Sequence, residues 1–200
     1  MIPILEDGDI TLFGKTVLIP QRWFVINALL ESRAICRYIA ETYADQGTKL
    51  VPARGDIKAQ AIFDQWLSVE STNWDAFAYP LVNQKLFRKC APPLSPPRKS
   101  VNKSTRYRGL EPIPEVVDSI IPVFNDKLDI FEKILGKQKY MAGDEFSLVD
   151  LFYLPYTAKL FEIGHGDFLT SRPNVSAWWD RVSNRESWKK VYVPMPLPPA

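Results

Sequence analysis

Two hundred residues, 46% hydrophobic and 24% charged, are enough to bury a sizeable core in one domain or two small ones. Twenty-five basic against 23 acidic residues leave a net charge of +2, which argues against the one-sided field that nucleic acid or an anionic membrane surface requires. Cys36 and Cys90 are the only cysteines, too few for a disulfide framework or a cysteine-based zinc site, and they fit a reducing, cytoplasmic compartment.

The chain opens with Met1-Ile2-Pro3 and has no basic n-region. The apolar run from Val17 to Leu30 is broken by Pro20, Gln21, Arg22 and Asn27, so neither a signal peptide nor a membrane span is expected. Ile2–Leu5 and Ile10–Phe13 flank Glu6-Asp7-Gly8-Asp9 and read as a β-hairpin, with Gly8 supplying the positive φ of a tight turn. Glu6, Asp7 and Asp9 are read as turn residues rather than as ligands for a cation. Gly14 to Leu30 is apolar and basic and suits neither the hairpin before it nor the helix after it.

A helical pattern begins at Ser32. It places Ala34, Ile35, Tyr38 and Ile39 on one face and Arg33, Arg37 and Glu41 largely opposite, and ends by Gly47. After the linker "TKLVPARGD", Asp56 is a plausible N-cap. Ile62, Phe63, Trp66 and Val69 then recur at helical spacing along one long helix reaching Phe87 and bent near Pro80. Lys89 to Gly109 is rich in Pro, Ser and basic residues and reads as an irregular loop.

The period resumes at Glu115. Val117, Ile120, Phe124, Leu128, Phe131 and Leu135 mark a long amphipathic helix despite Pro122, and three more helices are expected after it. The first begins at "FSLVD", where Ser147 and Asp150 can form a capping box and Phe146 and Leu151 occupy the staple positions, together worth about 1 to 2 kcal/mol. "RPNVSAWWDRVSNR" and "ESWKKVYV" supply the other two, with Trp178, Trp179, Trp188 and Tyr192 as the large packing residues, before the extended tail "PMPLPPA".

His165, the single histidine, has no partner set for a metal site or a nucleophile–base pair and reads as structural. Glu31-Ser32 is more informative, because it stands where unpaired backbone N–H groups and the positive end of a helix favour an anion. Ser32 either caps its own helix or helps to hold a carboxylate. Glu31 beside it suits an ammonium, and the zwitterionic end of an amino acid carries both groups.

"IPILEDGDITLF", "ESRAICRYIAETYADQGTKLVP", "AIFDQWLSVES", "KYMAGDEFSLVDLFYLPY" and "RPNVSAWWDRVSNRESWKKV", in that order, resemble cytosolic glutathione S-transferases, most of all the phi-like proteins of plants and fungi. The resemblance implies an α+β chain in which a thioredoxin-like α/β remnant, a hairpin plus a helix, precedes an all-α domain. It divides residues 1–50, a linker 51–57, a helical domain 58–193 and a Pro-rich tail 194–200, with atypical insertions at 14–30 and 89–109. Glutathione is the implied co-substrate and an electrophilic small molecule its partner, with no metal, nucleic acid or membrane. By resemblance, Ile2-Pro3 matches the cis-proline step that pairs with the cysteinyl part of glutathione. Glu31 and Ser32 match the pair that takes its γ-glutamyl end, and Ser147 with Asp150 matches a structural cap.

Family members carry the Ser, Tyr or Cys that activates the glutathione thiol on elements ahead of the hairpin. No residue here matches it, and because Ser71, Thr72 and Tyr79 belong to another element, no catalytic residue is nominated. Conjugation by the chain is therefore expected to be impaired. Family members also run from the strand directly into "ESRAI", whereas seventeen residues, Gly14 to Leu30, intervene here. Gly-Lys can be encoded with the GTAAG that begins many introns, so the stretch reads as translated intron, a true insertion being the alternative. Ile4, Leu12, Ile35 and Ile39 are expected to lack part of their cover. The resemblance implies a homodimer, with the second hairpin strand, the Ser32 helix and the Lys58 helix near the interface. The rival functional readings are a non-catalytic interaction module of the elongation-factor gamma-subunit type and a mis-spliced product.

Overall fold

The computed structural model describes residues 4–8, 10–13, 32–87 and 111–194, with backbone alone for 4–6 and 11–13. Strands β1 (Ile4–Asp7) and β2 (Ile10–Phe13) pair antiparallel, Ile4 against Phe13 and Asp7 against Ile10. Gly8 turns the hairpin at φ +60°, a conformation that a side chain would strain. The first strand extends further toward the turn than the expected Ile2–Leu5, because this tight register carries Glu6 and Asp7 into the ladder. Ile2, Pro3 and the segments 14–30 and 89–109 lie outside the described residues.

Helix α1 (Ser32–Thr42) follows, and its buried face differs from the expected one. Ile35 is buried at 7% exposure and Cys36 and Ala40 pack on the core, while Ile39 stays 40% exposed. The expected loss of cover therefore holds for Ile39 and fails for Ile35. Arg33, expected to lie largely on the opposite side, turns inward to Glu70, which gives its charge a buried partner.

Asp56 caps α2 (Ile57–Glu70) by accepting a 3.0 Å hydrogen bond from the Ala59 amide. Phe63 is buried as its spacing predicts, whereas Ile62 is 41% exposed. The rod then continues to Phe87 as expected, but not as uniform α-helix. Wide π-turns at Ser71–Asp75 and Asn83–Phe87 flank α3 (Ala76–Val82). Pro80 lies inside α3, where it cannot donate a hydrogen bond to the Ala76 carbonyl.

Helix α4 (Pro114–Leu135) runs as one piece with Pro114 in its first turn, and buries Val117, Phe124, Leu128, Phe131 and Leu135. Helix α5 (Leu148–Glu162) packs against α1, α2, α3 and α7 (Pro173–Ser183) and is accordingly apolar on most sides, with eight buried residues from Leu148 to Leu160. The capping box at its start is formed: Asp150 reaches back to the Ser147 amide at 3.1 Å. The same carboxylate accepts from the Met141 amide at 3.0 Å and from Trp178 Nε1 at 2.9 Å, tying two distant segments to the cap. Phe146 packs beneath Arg185, whose guanidinium lies 3.8 Å from the ring centre.

A short helix, α6 (Asp167–Thr170), was not legible in the sequence; it carries Phe168 and Leu169 into the core before α7 and α8 (Glu186–Val191). At the centre, Trp74 meets Phe124 at 5.2 Å and Tyr153 at 5.1 Å, and Tyr153 meets Trp178 at 5.6 Å. Edge-to-face or tilted aromatic pairs of this kind add about 0.5 to 1.5 kcal/mol each beyond the area they bury.

Candidate functional site: the head of the first helix

Ser32 is the first residue of α1 and its side chain is exposed. As the residue that opens the helix, it has an amide among the N–H groups that lack an intrahelical partner. Among the described residues nothing accepts or donates a hydrogen bond at its hydroxyl. Glu31, the other half of the expected pair, lies outside the described residues, as do Ile2 and Pro3.

The next residue is held from three sides. Arg33 Nε donates to Glu70 Oε2 at 2.9 Å, Nη2 donates to Glu70 Oε1 at 2.8 Å, and Nη2 lies 3.4 Å from Asp75 Oδ2. Its guanidinium also sits 5.6 Å from the Phe152 ring centre. Burial works against the Arg33 charge, yet Glu70 and Asp75 hold its pKa above the usual range. Burial pushes the Glu70 carboxyl up, with Arg33 pulling it back. One fork thus fixes the first turn of α1 onto the end of α2.

Two further contacts set the same helix. Tyr38 and Tyr43 both donate to Asp7 Oδ2, at 2.9 and 2.7 Å, and these bonds, Tyr43 first, hold the Asp7 carboxyl below its ordinary pKa. Arg37 pairs with Glu41 at 2.9 Å and Asp64 at 3.0 Å. The arrangement is a helix start with an exposed hydroxyl, without a hydrogen-bond partner among the described residues, on a braced support. It suits a carboxylate or another small anion.

The remaining candidates have structural partners. His165 meets Lys85 through Nε2 and stacks on Phe168 at 4.6 Å; burial and then Lys85 lower its pKa, which fits the structural reading. Ser71 and Thr72 donate to the Ser68 carbonyl, and Tyr79 accepts from Asn83. Burial raises the Cys36 thiol, so it is a poor nucleophile. Among the described residues no group of three His, Cys, Asp or Glu side chains could hold a metal, and no helix is long and apolar enough to cross a membrane.

Residues 105–186 match the family model for the glutathione S-transferase C-terminal domain. The chain is 36% identical over 180 residues to glutathione S-transferase hmp2 of Hypomyces subiculosus, an alignment covering 90% of this chain and 75% of that one. It is 35% identical over 179 residues to glutathione S-transferase PM239X14 of Arabidopsis thaliana, covering 90% of this chain and 66% of that one. The chain belongs to the glutathione S-transferase family, on its phi-like plant and fungal side. It spans 66% and 75% of the length of these two relatives. Among solved structures, glutathione S-transferase I from maize, in complex with an atrazine–glutathione conjugate, superposes with a TM-score of 0.70 at 29% identity, over 96% of this chain and 72% of that one.

At the head of α1, the sequence drew attention to Ser32 and not to the fork that Arg33 makes with Glu70 and Asp75. A signal was present, since Glu70 occupies the apolar stripe that also carries Phe63 and Trp74, where a lone carboxylate calls for a cationic partner.

Proposed function

We propose that the chain binds glutathione at the head of α1 and that its reaction is that of the family, attack of the glutathione thiolate on an electrophilic centre. Ser32 would hold the γ-glutamyl carboxylate with its hydroxyl and the first amides of α1, Glu31 would hold the ammonium, and Ile2-Pro3 would pair with the cysteinyl backbone. The observation that carries this reading is the exposed Ser32 hydroxyl, which has no described partner, one residue from an arginine locked into the helical domain. The maize relative's bound conjugate supports glutathione as the co-substrate. No residue is assigned to thiol activation, and no metal is invoked.

In this reading the hairpin and α1, within residues 1–50, are the thioredoxin-like part, 51–57 is the linker, 58–193 the helical domain and 194–200 a tail, in a cytoplasmic protein. A homodimer is part of the proposal. The apolar groove between α2 and α4, bordered by Trp66, Val69, Ile130 and Ile134, supports it, with Ile130 left 50% exposed.

Calorimetric titration with glutathione, run beside turnover of chlorodinitrobenzene, tests the proposal and separates the two functions. Binding with turnover supports a transferase, and binding without turnover supports a glutathione-binding module. Absence of binding removes the proposal.

A further inference from the structure

A groove of about 590 Å³ opens between the linker after α1, the start of α2 and the turn before α5, away from the head of α1. Its volume lies in the range of small-molecule sites. The apolar surface comes from Leu50, Val51, Ile62, Phe63 and Phe146. Three hydrogen bonds hold these walls in place: the Leu148 amide donates to the Leu50 carbonyl at 2.8 Å, Ala59 N donates to Asp56, and Ser147 N to Asp150. The groove is therefore formed before anything enters it, and it accounts for Ile62, an aliphatic side chain left 41% exposed on a helix whose next residue is buried.

Its charges are unequal. Among the lining residues Asp56, Asp144 and Glu145 stand against one cation, Lys49, while Arg37 and Arg185 lie on the Phe63 and Phe146 rings. Asp56 and Asp144 are fixed by the Ala59 and Lys139 amides that donate to them. Glu145 is exposed and makes no ion pair with a described residue. Lys49 also borders the neighbouring pocket with Arg37, Glu41 and Arg54, so its charge lies at that junction and leaves the Asp144–Glu145 wall as the negative end.

We propose that this groove binds a small organic cation with a ring-sized apolar body, its amine or quaternary ammonium head at Asp144 and Glu145 and its body against Leu50, Val51 and Ile62. The site does not depend on the glutathione reading, since none of its lining residues belongs to the first turn of α1.

Titration of the full chain with berberine, a planar quaternary ammonium dye that brightens in apolar surroundings, tests this in the presence of saturating glutathione. Saturable brightening is expected. Ala59→Trp, which fills the groove, abolishes saturation, and Glu145→Lys, an exposed change that leaves the fold intact, weakens binding roughly three- to fivefold as loss and reversal of a partly screened charge requires. The anionic dye anilinonaphthalene sulfonate gains nothing from the wild-type groove. No saturable berberine binding, or berberine binding unchanged in both variants, overturns the proposal.

Discussion

Arg33 and Glu70, 37 residues apart in the chain, form a two-point fork in which the carboxylate is fully buried and the guanidinium side chain keeps 34% of its exposure. This is the joint between α1 and the helical body. Removing one partner leaves the other desolvated, whereas removing both leaves only packing to restore. Arg33→Ala is expected to cost about 2 kcal/mol in urea unfolding, below the range for a fully buried broken pair because Arg33 is partly open to water. The double change to Met at both positions is expected to recover most of it. Equal losses in the single and double variants would contradict the joint.

The pH dependence of Arg33→Ala follows from Glu70. Burial raises its folded pKa above the unfolded value, and without Arg33 nothing pulls it back. The folded state then holds a proton that the unfolded state releases, so stability falls as pH rises from the ordinary glutamate range toward the raised folded value. The deficit of Arg33→Ala should be smaller at pH 5 than at pH 7.5 in denaturant titrations.

Asp150 serves four donors, from Met141, Ser147 twice and Trp178, although burial pushes its carboxyl pKa up. Asp150→Ala strands all of them and is expected to cost about 3 to 5 kcal/mol. Ser147→Ala, which removes one hydroxyl of the box, should cost about 1 kcal/mol. Guanidinium unfolding followed by tryptophan fluorescence measures both, and comparable costs would show that the box, rather than the wider network, dominates.

Glu132 of α4 caps a neighbouring helix instead of its own. Its oxygens accept from the Asn174 amide at 3.1 and 3.0 Å and from the Val175 amide at 3.0 Å, at the start of α7. Glu132→Ala should lower stability by about 1 to 2 kcal/mol through loss of a charged cap, with little effect on glutathione binding. Thermal unfolding and calorimetry on one preparation check both halves.

Asp7 joins the hairpin to α1 through Tyr38 and Tyr43, whose hydrogen bonds, Tyr43 first, depress its pKa. The contribution of a depressed carboxyl is present above its unfolded value and is lost as pH falls through the folded one. Protection of the amides over residues 4–13, relative to their intrinsic exchange rates, should therefore fall in acid more than protection in α4, and Tyr43→Phe should reproduce part of that fall at neutral pH. Hairpin protection that is indifferent to both changes would remove this anchor.

Local signals in the sequence were reliable where a local cause decides the outcome. The hydrophobic period of α4 placed five buried side chains, Asp56 and the Ser147–Asp150 box marked true helix starts, and Gly8 marked its turn. Longer-range causes were not legible. An arginine at helical spacing looks solvent-facing until a carboxylate on another helix is known to sit beneath it, as Glu70 sits beneath Arg33. The wide turns on either side of α3 leave no mark in the hydrophobic period, and α6 is too short to show one.

The account rests on Ser32 as a carboxylate anchor at the braced head of α1, and calorimetric glutathione titration of wild-type and Ser32→Ala proteins tests it most directly. Loss of one charge-assisted hydrogen bond predicts affinity about ten- to a hundredfold weaker with unchanged unfolding behaviour. Equal glutathione affinity in the two proteins would contradict it.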